Sequence, residues 1–485
     1  MNHAVRGFGL AASLVLVSTV AAFVPQAKAQ STSAYVYVQI QGPAGAVYGY
    51  SASSTGQLTA IPGSPFNPGT QIIGSNKSQF FTLGKTTIHS YEVGSNGAIG
   101  SQLTDIGYLN FAGSSCGGGT DGLSNAVLDH TGQYIYVLLQ NGGDGSCAAY
   151  QTYNVGSFTF QGDTEKDLAT GESDSVGLPS ILGNESSAYA NEWVGHYSDL
   201  VGFKRESSGT LEVMQFNETD PTLSGSNYLP ANPDASPDGN YVVVQLYPNN
   251  GSGDTNPAQI GSYSVASNGN LSTTNTSSNM PTTALEQPSS MFSPDGKLFV
   301  LYGDQGPGGS QNGIEIYSFN GASPLTFYTR LLTGTPIDKV AWDSSNHLYA
   351  ISTHTNELYV FTVTSTSVTQ DTELSIGSPF SMVVTSQAAT SGGACSAPQS
   401  NGVNVCSPAN GDTVSSPVQI NAAATVSGGV YRFELWNGST KLLSLDNSGI
   451  MDQTLSLAPG SYKLTFDAYN TSGTHEYAYR DIAVQ

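Results

Sequence analysis

Short apolar runs separated by turn formers recur along most of the chain. The clearest unit reads Ser236-Pro237-Asp238-Gly239, the run Tyr241-Val242-Val243-Val244, a polar loop, Ile260 to Val265, and then Asn268-Gly269-Asn270-Leu271. That order predicts a strand ending in a Pro-Asp-Gly turn, a second strand, a loop, a third strand and a Gly turn into a fourth. Four short antiparallel strands of this kind make one propeller blade.

The unit repeats. Second-strand anchors fall at Tyr35, Phe80, Tyr134, Tyr189, Tyr241, Leu298 and Leu348, between 45 and 57 residues apart, which gives seven units. Third-strand aromatics follow at Tyr50, Tyr91, Tyr153, Phe203, Tyr263, Tyr317 and Phe361. In four units a glycine lies six residues beyond that aromatic, at Gly56, Gly97, Gly209 and Gly269, with Leu58, Ile99, Leu211 and Leu271 two further on. The first unit opens directly with Ala34-Tyr35-Val36-Tyr37-Val38 and lacks a preceding strand, whereas the last overshoots with Pro379-Phe380-Ser381-Met382-Val383-Val384. Pairing of the two ends would close a ring and leave no free edge.

The pattern dissolves after residue 385 into Ser, Gly, Ala and Asn, a linker over 386–401, and a second domain follows over 402–485. Its strand-like runs are Pro417 to Thr425, Val430 to Trp436, Thr454 to Leu457, Tyr462 to Tyr469 and His475 to Val484. They suffice for a small sandwich, and Pro459-Gly460-Ser461-Tyr462 reads as a tyrosine corner. The expected architecture is therefore all-β: a seven-bladed β-propeller over 30–385, then an immunoglobulin-like β-sandwich.

The repeat resembles the seven-bladed lactonase-type propellers and their relatives with Tyr-Val-Thr-Asn repeats, most tellingly in Ser293-Pro294-Asp295-Gly296-Lys297-Leu298-Phe299-Val300 and in Gly45 to Tyr50 with Gly56-Gln57-Leu58. The C-terminal part is similar to bacterial immunoglobulin-like modules appended to exported proteins. The resemblance implies lactone chemistry without a metal, performed by His, Arg and Glu gathered on one face of the ring. It also implies an Arg-His pair after a Pro in an innermost strand. The matching stretch here, Pro288-Ser289-Ser290-Met291-Phe292-Ser293, lacks both charged groups, and Glu192 is a lone counterpart of the family's Glu.

Composition narrows the function classes. Only 14 of 485 residues are Lys or Arg, the net charge is −22, and no basic stripe exists for nucleic acid. Residues 1–29 read as a signal peptide, with Arg6, an apolar stretch from Gly7 to Val24 and a small-residue site at Ala27-Lys28-Ala29. The mature protein is thus expected to be exported (periplasmic, cell-surface or secreted) and to have no membrane span. In such a compartment Cys116, Cys147, Cys395 and Cys406 are expected as two bridges, Cys116 with Cys147 and Cys395 with Cys406.

Candidate chemistry is sparse. The histidines have no evident partners, and Gly113-Ser114-Ser115-Cys116-Gly117 opens a glycine-rich loop with no helix behind it. Asn249 to Asp254 carries too few carboxylates for calcium. No catalytic residue, metal or cofactor is expected. The spacing from second-strand to third-strand anchor varies from 11 residues (Phe80 to Tyr91) to 22 (Tyr241 to Tyr263), and insertions in repeat proteins gather on the binding face. That face should carry Gln39, Gln140, Glu192, Gln245, Asp304 and His354. Such a set, rich in amides, suits a neutral polar ligand such as a glycan, or a protein partner. The expectation is a binding or scaffolding module, with a divergent lactone hydrolase or cycloisomerase as the alternative.

Overall fold

A computed structural model of the chain describes residues 32–41, 45–69, 71–107, 124–140, 147–167, 175–194, 197–215, 228–248, 257–285, 288–303, 311–387, 395, 397–398, 400–414, 416, 418–446, 448–455 and 457–484. Among them every regular element is a strand.

Seven successive sheets are built on one plan. Blade 2, for example, runs Gln71–Ser75, Gln79–Leu83, Thr87–Val93 and Ile99–Gly107, each strand antiparallel to the one before. Blade 4 departs from the plan, because its first-strand position is divided between Ser175–Val176 and Ser180–Ile181, both paired to Ser187–Val194. Blade 1 is completed from the far end of the chain. Pro379–Ser386 pairs with Thr32–Ile40, Ala34 opposite Ser386 and Gln39 opposite Ser381, as the missing and surplus strands predict.

Burial explains the apolar runs. Each blade is covered on both faces by its neighbours, so a second strand such as Tyr241–Pro248 hides alternate residues in different cores. Val242 and Val244 pack with Tyr189 and Leu182 of blade 4, whereas Val243 packs with Phe292, Phe299 and Leu301 of blade 6. The same holds around the ring, and the seventh core joins Val36 and Val38 of blade 1 to Tyr349 and Ile351 of blade 7. First strands of adjacent blades lie side by side in blades 1 to 3, 4 to 6, and 7 with 1, which places them around the axis.

The glycine repeat has a physical cause. Gly97 and Gly209 have φ of +81° and +84°, and a Cβ on either would stand 2.5 Å from the ring of Tyr35 or Tyr134 in the preceding blade. The carbonyls at these turns accept hydrogen bonds from the preceding blade: Tyr37 donates to Gly97 at 2.8 Å, Tyr136 to Gly209 at 2.7 Å and Tyr189 to Gly269 at 2.8 Å. Tyr189 thus belongs with Tyr37 and Tyr136, not with Tyr35 and Tyr134. The residues opposite the third-strand aromatics Tyr50, Tyr153 and Phe203 are Val36, Ile135 and Ala188.

The C-terminal module packs a three-stranded sheet (Gly402–Ser407, Val418–Thr425, Ile450–Leu455) on a five-stranded one (Thr413–Val414, His475–Val484, Gly460–Tyr469, Arg432–Asn437, Thr440–Asp446). Phe433, Leu435, Phe466, Ile420 and Ile482 fill the space between them. The Tyr462 hydroxyl donates to the Ala458 carbonyl at 2.8 Å, which forms the expected corner. Three strands escaped the sequence pattern: Gly402–Ser407, Thr413–Val414 and Thr440–Asp446. Cys395 and Cys406 are bonded, with Cα atoms 5.6 Å apart. Cys116 and the Cys147 side chain lie outside the described residues.

Candidate functional site

Second strands run from the Pro-Asp-Gly-type turn at one end of the ring to the longer loops at the other. Four of the six residues expected there have described side chains. Gln39 and Gln245 hold equivalent positions, four residues beyond Tyr35 and Tyr241, and both are buried. The Gln39 Oε1 accepts a hydrogen bond from the Ile72 amide of blade 2 at 3.1 Å. The Gln245 Oε1 accepts from the Tyr247 hydroxyl and lies 3.5 Å from the Asn232 Nδ2, while its Nε2 has no hydrogen-bond partner among the described residues. Glu192, half-buried, stands opposite Val176 and Asp199, and its charge adds to burial in raising the pKa of Tyr150 in blade 3. His354 is exposed in the turn between Ser352 and Glu357. The Gln140 side chain and Asp304 lie outside the described residues.

Blades 4 to 6 also hold a polar seam that the repeat pattern does not reveal. The first strand of blade 5, Tyr228–Ala235, bulges between Ala231 and Asp234, and Asn232 there has φ of +45°. Its Nδ2 donates to the Pro288 carbonyl of blade 6 at 3.1 Å. Asp234 accepts from the Ser180 hydroxyl of blade 4 at 3.0 Å, and its Oδ2 has no hydrogen-bond partner among the described residues. Burial pushes the Asp234 carboxyl up to about 6, and its hydrogen bonds offset only part of that. The available signal was Pro233, since a proline inside a strand marks a bulge.

The other deeply placed charges are committed to holding blades together. Arg205 of blade 4 donates to Asp129 of blade 3 at 2.8 Å, to the Tyr136 hydroxyl at 3.0 Å and to Glu185, and its guanidinium lies over the Tyr134 ring. Asp343 accepts from Tyr349 at 2.9 Å and from Ser33 of blade 1 at 3.3 Å, and lies 2.7 Å from the His347 Nδ1. Burial opposes the charge on Asp343, but its bonds to His347 and the Ser345 amide outweigh this and hold its pKa below the ordinary value. Glu315 accepts from Thr283 and Tyr317, each at 2.7 Å. Among the described residues no three His, Cys, Asp or Glu side chains converge as metal ligands.

Residues 402–478 match the bacterial Ig domain family. A candidate 6-phosphogluconolactonase from Bacteroides fragilis is 14% identical with TM-score 0.50, over 74% of this chain and 98% of its own. One from Bacteroides uniformis is 12% identical with TM-score 0.51, over 73% and 100%. The periplasmic gluconolactonase of Pseudomonas aeruginosa is 13% identical with TM-score 0.47, over 72% and 98%. No curated protein matches the sequence. At these identities the likeness establishes the fold: an all-β propeller of the kind found in lactonase-like proteins, followed by a bacterial Ig-like sandwich. No helix among the described residues is long and apolar enough to cross a membrane.

Proposed function

We propose that the protein is exported and that its ring is a binding module for a neutral polar ligand of glycan type, not a lactone hydrolase. Opening a lactone requires a base to activate water and free donors to hold the oxyanion, converging within hydrogen-bond reach. The observation that carries the reading is the commitment of Arg205, Asp343 with His347, and Glu315 to partners inside the ring. Export is supported by the Arg6-to-Ala29 pattern and by the Cys395–Cys406 bond, which persists in oxidising compartments.

Lactone hydrolysis keeps one supporting observation, the carboxyl of Asp234 poised near pH 6 in an innermost strand. The two readings part in a paired measurement on the full chain: hydrolysis of aldonolactones, and calorimetric binding of neutral oligosaccharides. The expected result is no turnover above the spontaneous rate, and binding weakened several-fold by Gln140→Ala or His354→Ala at unchanged melting temperature. Turnover abolished by Asp234→Asn or Glu192→Gln would overturn the binding reading.

A further inference from the structure

The outer face of the five-stranded sandwich sheet is unlike an ordinary solvated sheet face. Alternation along His475–Val484 turns Ala478, Ile482 and Val484 toward the core and His475, Tyr477 and Tyr479 outward. Tyr477 and Tyr479 are 54% and 62% exposed, and the three rings form a continuous row, with centroids 5.8 Å apart from His475 to Tyr477 and 5.3 Å from Tyr477 to Tyr479. Strand register extends the row sideways. Tyr479 lies opposite Thr465, Thr465 opposite Trp436, and Trp436 opposite Lys441. In the next rank Tyr477 is followed by Asp467, Glu434 and Ser444.

The polar groups on this face are already arranged. Glu434, buried beneath it, accepts from the Lys441 ammonium at 2.8 Å and from the Trp436 indole at 3.1 Å, and Lys441 lies 5.1 Å from the Trp436 ring centre. Asp467 holds the His475 ring at 3.0 Å. Glu434 and Lys441 are thus paired with each other, and the face presents aromatic surfaces interleaved with hydrogen-bonding groups. A polyanion would gain nothing here and is repelled by the net charge of −22. An acyl chain would have to bury tyrosine hydroxyls and carboxylates without partners. A pyranose ring fits both features, because its C–H face packs on an aromatic ring while its rim hydroxyls donate and accept.

We propose that this face binds a neutral polysaccharide lying along His475–Val484, its successive sugar rings packed on Tyr477 and Tyr479 and its hydroxyls met by Asp467 and Thr465 of the neighbouring strand. Tyr477 and Tyr479 are tilted 59° to one another and offer two adjacent ring contacts on one strand, so the site suits a polymer more than a single sugar. This goes beyond the role given to the propeller and places an adhesive surface on the module attached to it.

The test is depletion of the full-length protein from solution by cellulose, by chitin and by an insoluble β-1,3-glucan, with pectate as the anionic control. At least one neutral polymer should retain the wild type. Tyr477→Ala with Tyr479→Ala should weaken retention about tenfold or more at unchanged melting temperature, whereas the Tyr→Phe pair, which keeps the rings, should retain most of it. Leu103→Ala, at an exposed position on the outer strand of blade 2, should bind like wild type. Five results would overturn the inference: no retention by any neutral polymer, retention by pectate alone, retention indifferent to the Ala pair, an Ala pair that only abolishes self-association measured by sedimentation, or loss with Gln140→Ala or His354→Ala alone, which leaves the reading of the propeller intact.

Discussion

Two aspartates inside the ring titrate in opposite directions, Asp343 through its partners and Asp234 through burial of its carboxyl. Asp343 has a histidine, a tyrosine and backbone amides around it, so its ionised form is favoured. The stability it contributes is present above about pH 4 and is lost as pH falls through its depressed pKa. Burial disfavours the charge on Asp234 and its hydrogen bond from Ser180 offsets only part of that, so its neutral form is favoured. Because its folded pKa of about 6 exceeds the ordinary value of 3.8, the folded state binds more protons between those limits. Stability should therefore fall as pH rises from about 4 to 6, by up to about 3 kcal/mol, and stay low above. Melting temperatures of wild type and Asp234→Asn across pH 4 to 8 check this. The difference between them should change through that window in favour of the variant, and a constant difference would refute it.

At the scale of strands and turns, the recurring glycine does two jobs that substitution can separate. Gly209 and Gly377 share nearly the same φ, +84° and +83°, but a Cβ at Gly377 meets nothing within 4 Å whereas one at Gly209 meets the Tyr134 ring at 2.5 Å. Gly377→Ala should cost only the left-handed penalty, about 1–2 kcal/mol. Gly209→Ala should cost more, because the tyrosine stack against Arg205 must also move. Equal losses in chemical denaturation would mean that the inter-blade contact carries no weight. This periodic glycine was legible in the sequence, since the turn conformation recurs at fixed spacing. The bulge at Asn232 breaks the repeat once and is marked in the sequence by Pro233 alone, whereas the divided first strand of blade 4 was not legible.

The whole ring depends on one long-range pairing. A chain ending at Gln387 keeps Pro379–Ser386 beside Thr32–Ile40, whereas one ending at Ser378 removes it and uncovers Val36 and Val38. The shorter chain should melt roughly 10 °C or more below the longer one, or aggregate through its open edge. Equal melting temperatures would show that the closure is dispensable.

The blades and their order, the closing strand and the sandwich corner at Tyr462 were all legible in the residues alone. Each depends on local turn chemistry or on a period repeated often enough to be read. Tertiary structure alone decided that Tyr189 joins Tyr37 and Tyr136, that Gln39 and Gln245 are buried, and that Asp234 meets Ser180 from another blade. It also decided that Tyr477 and Tyr479 share a face with Trp436. The sandwich run His475–Val484 already alternated in the sequence, but which of its faces met a core depended on the partner sheet. Contacts between blades and between strands distant in the chain set those outcomes, and a period along one strand carries no record of what lies across from it.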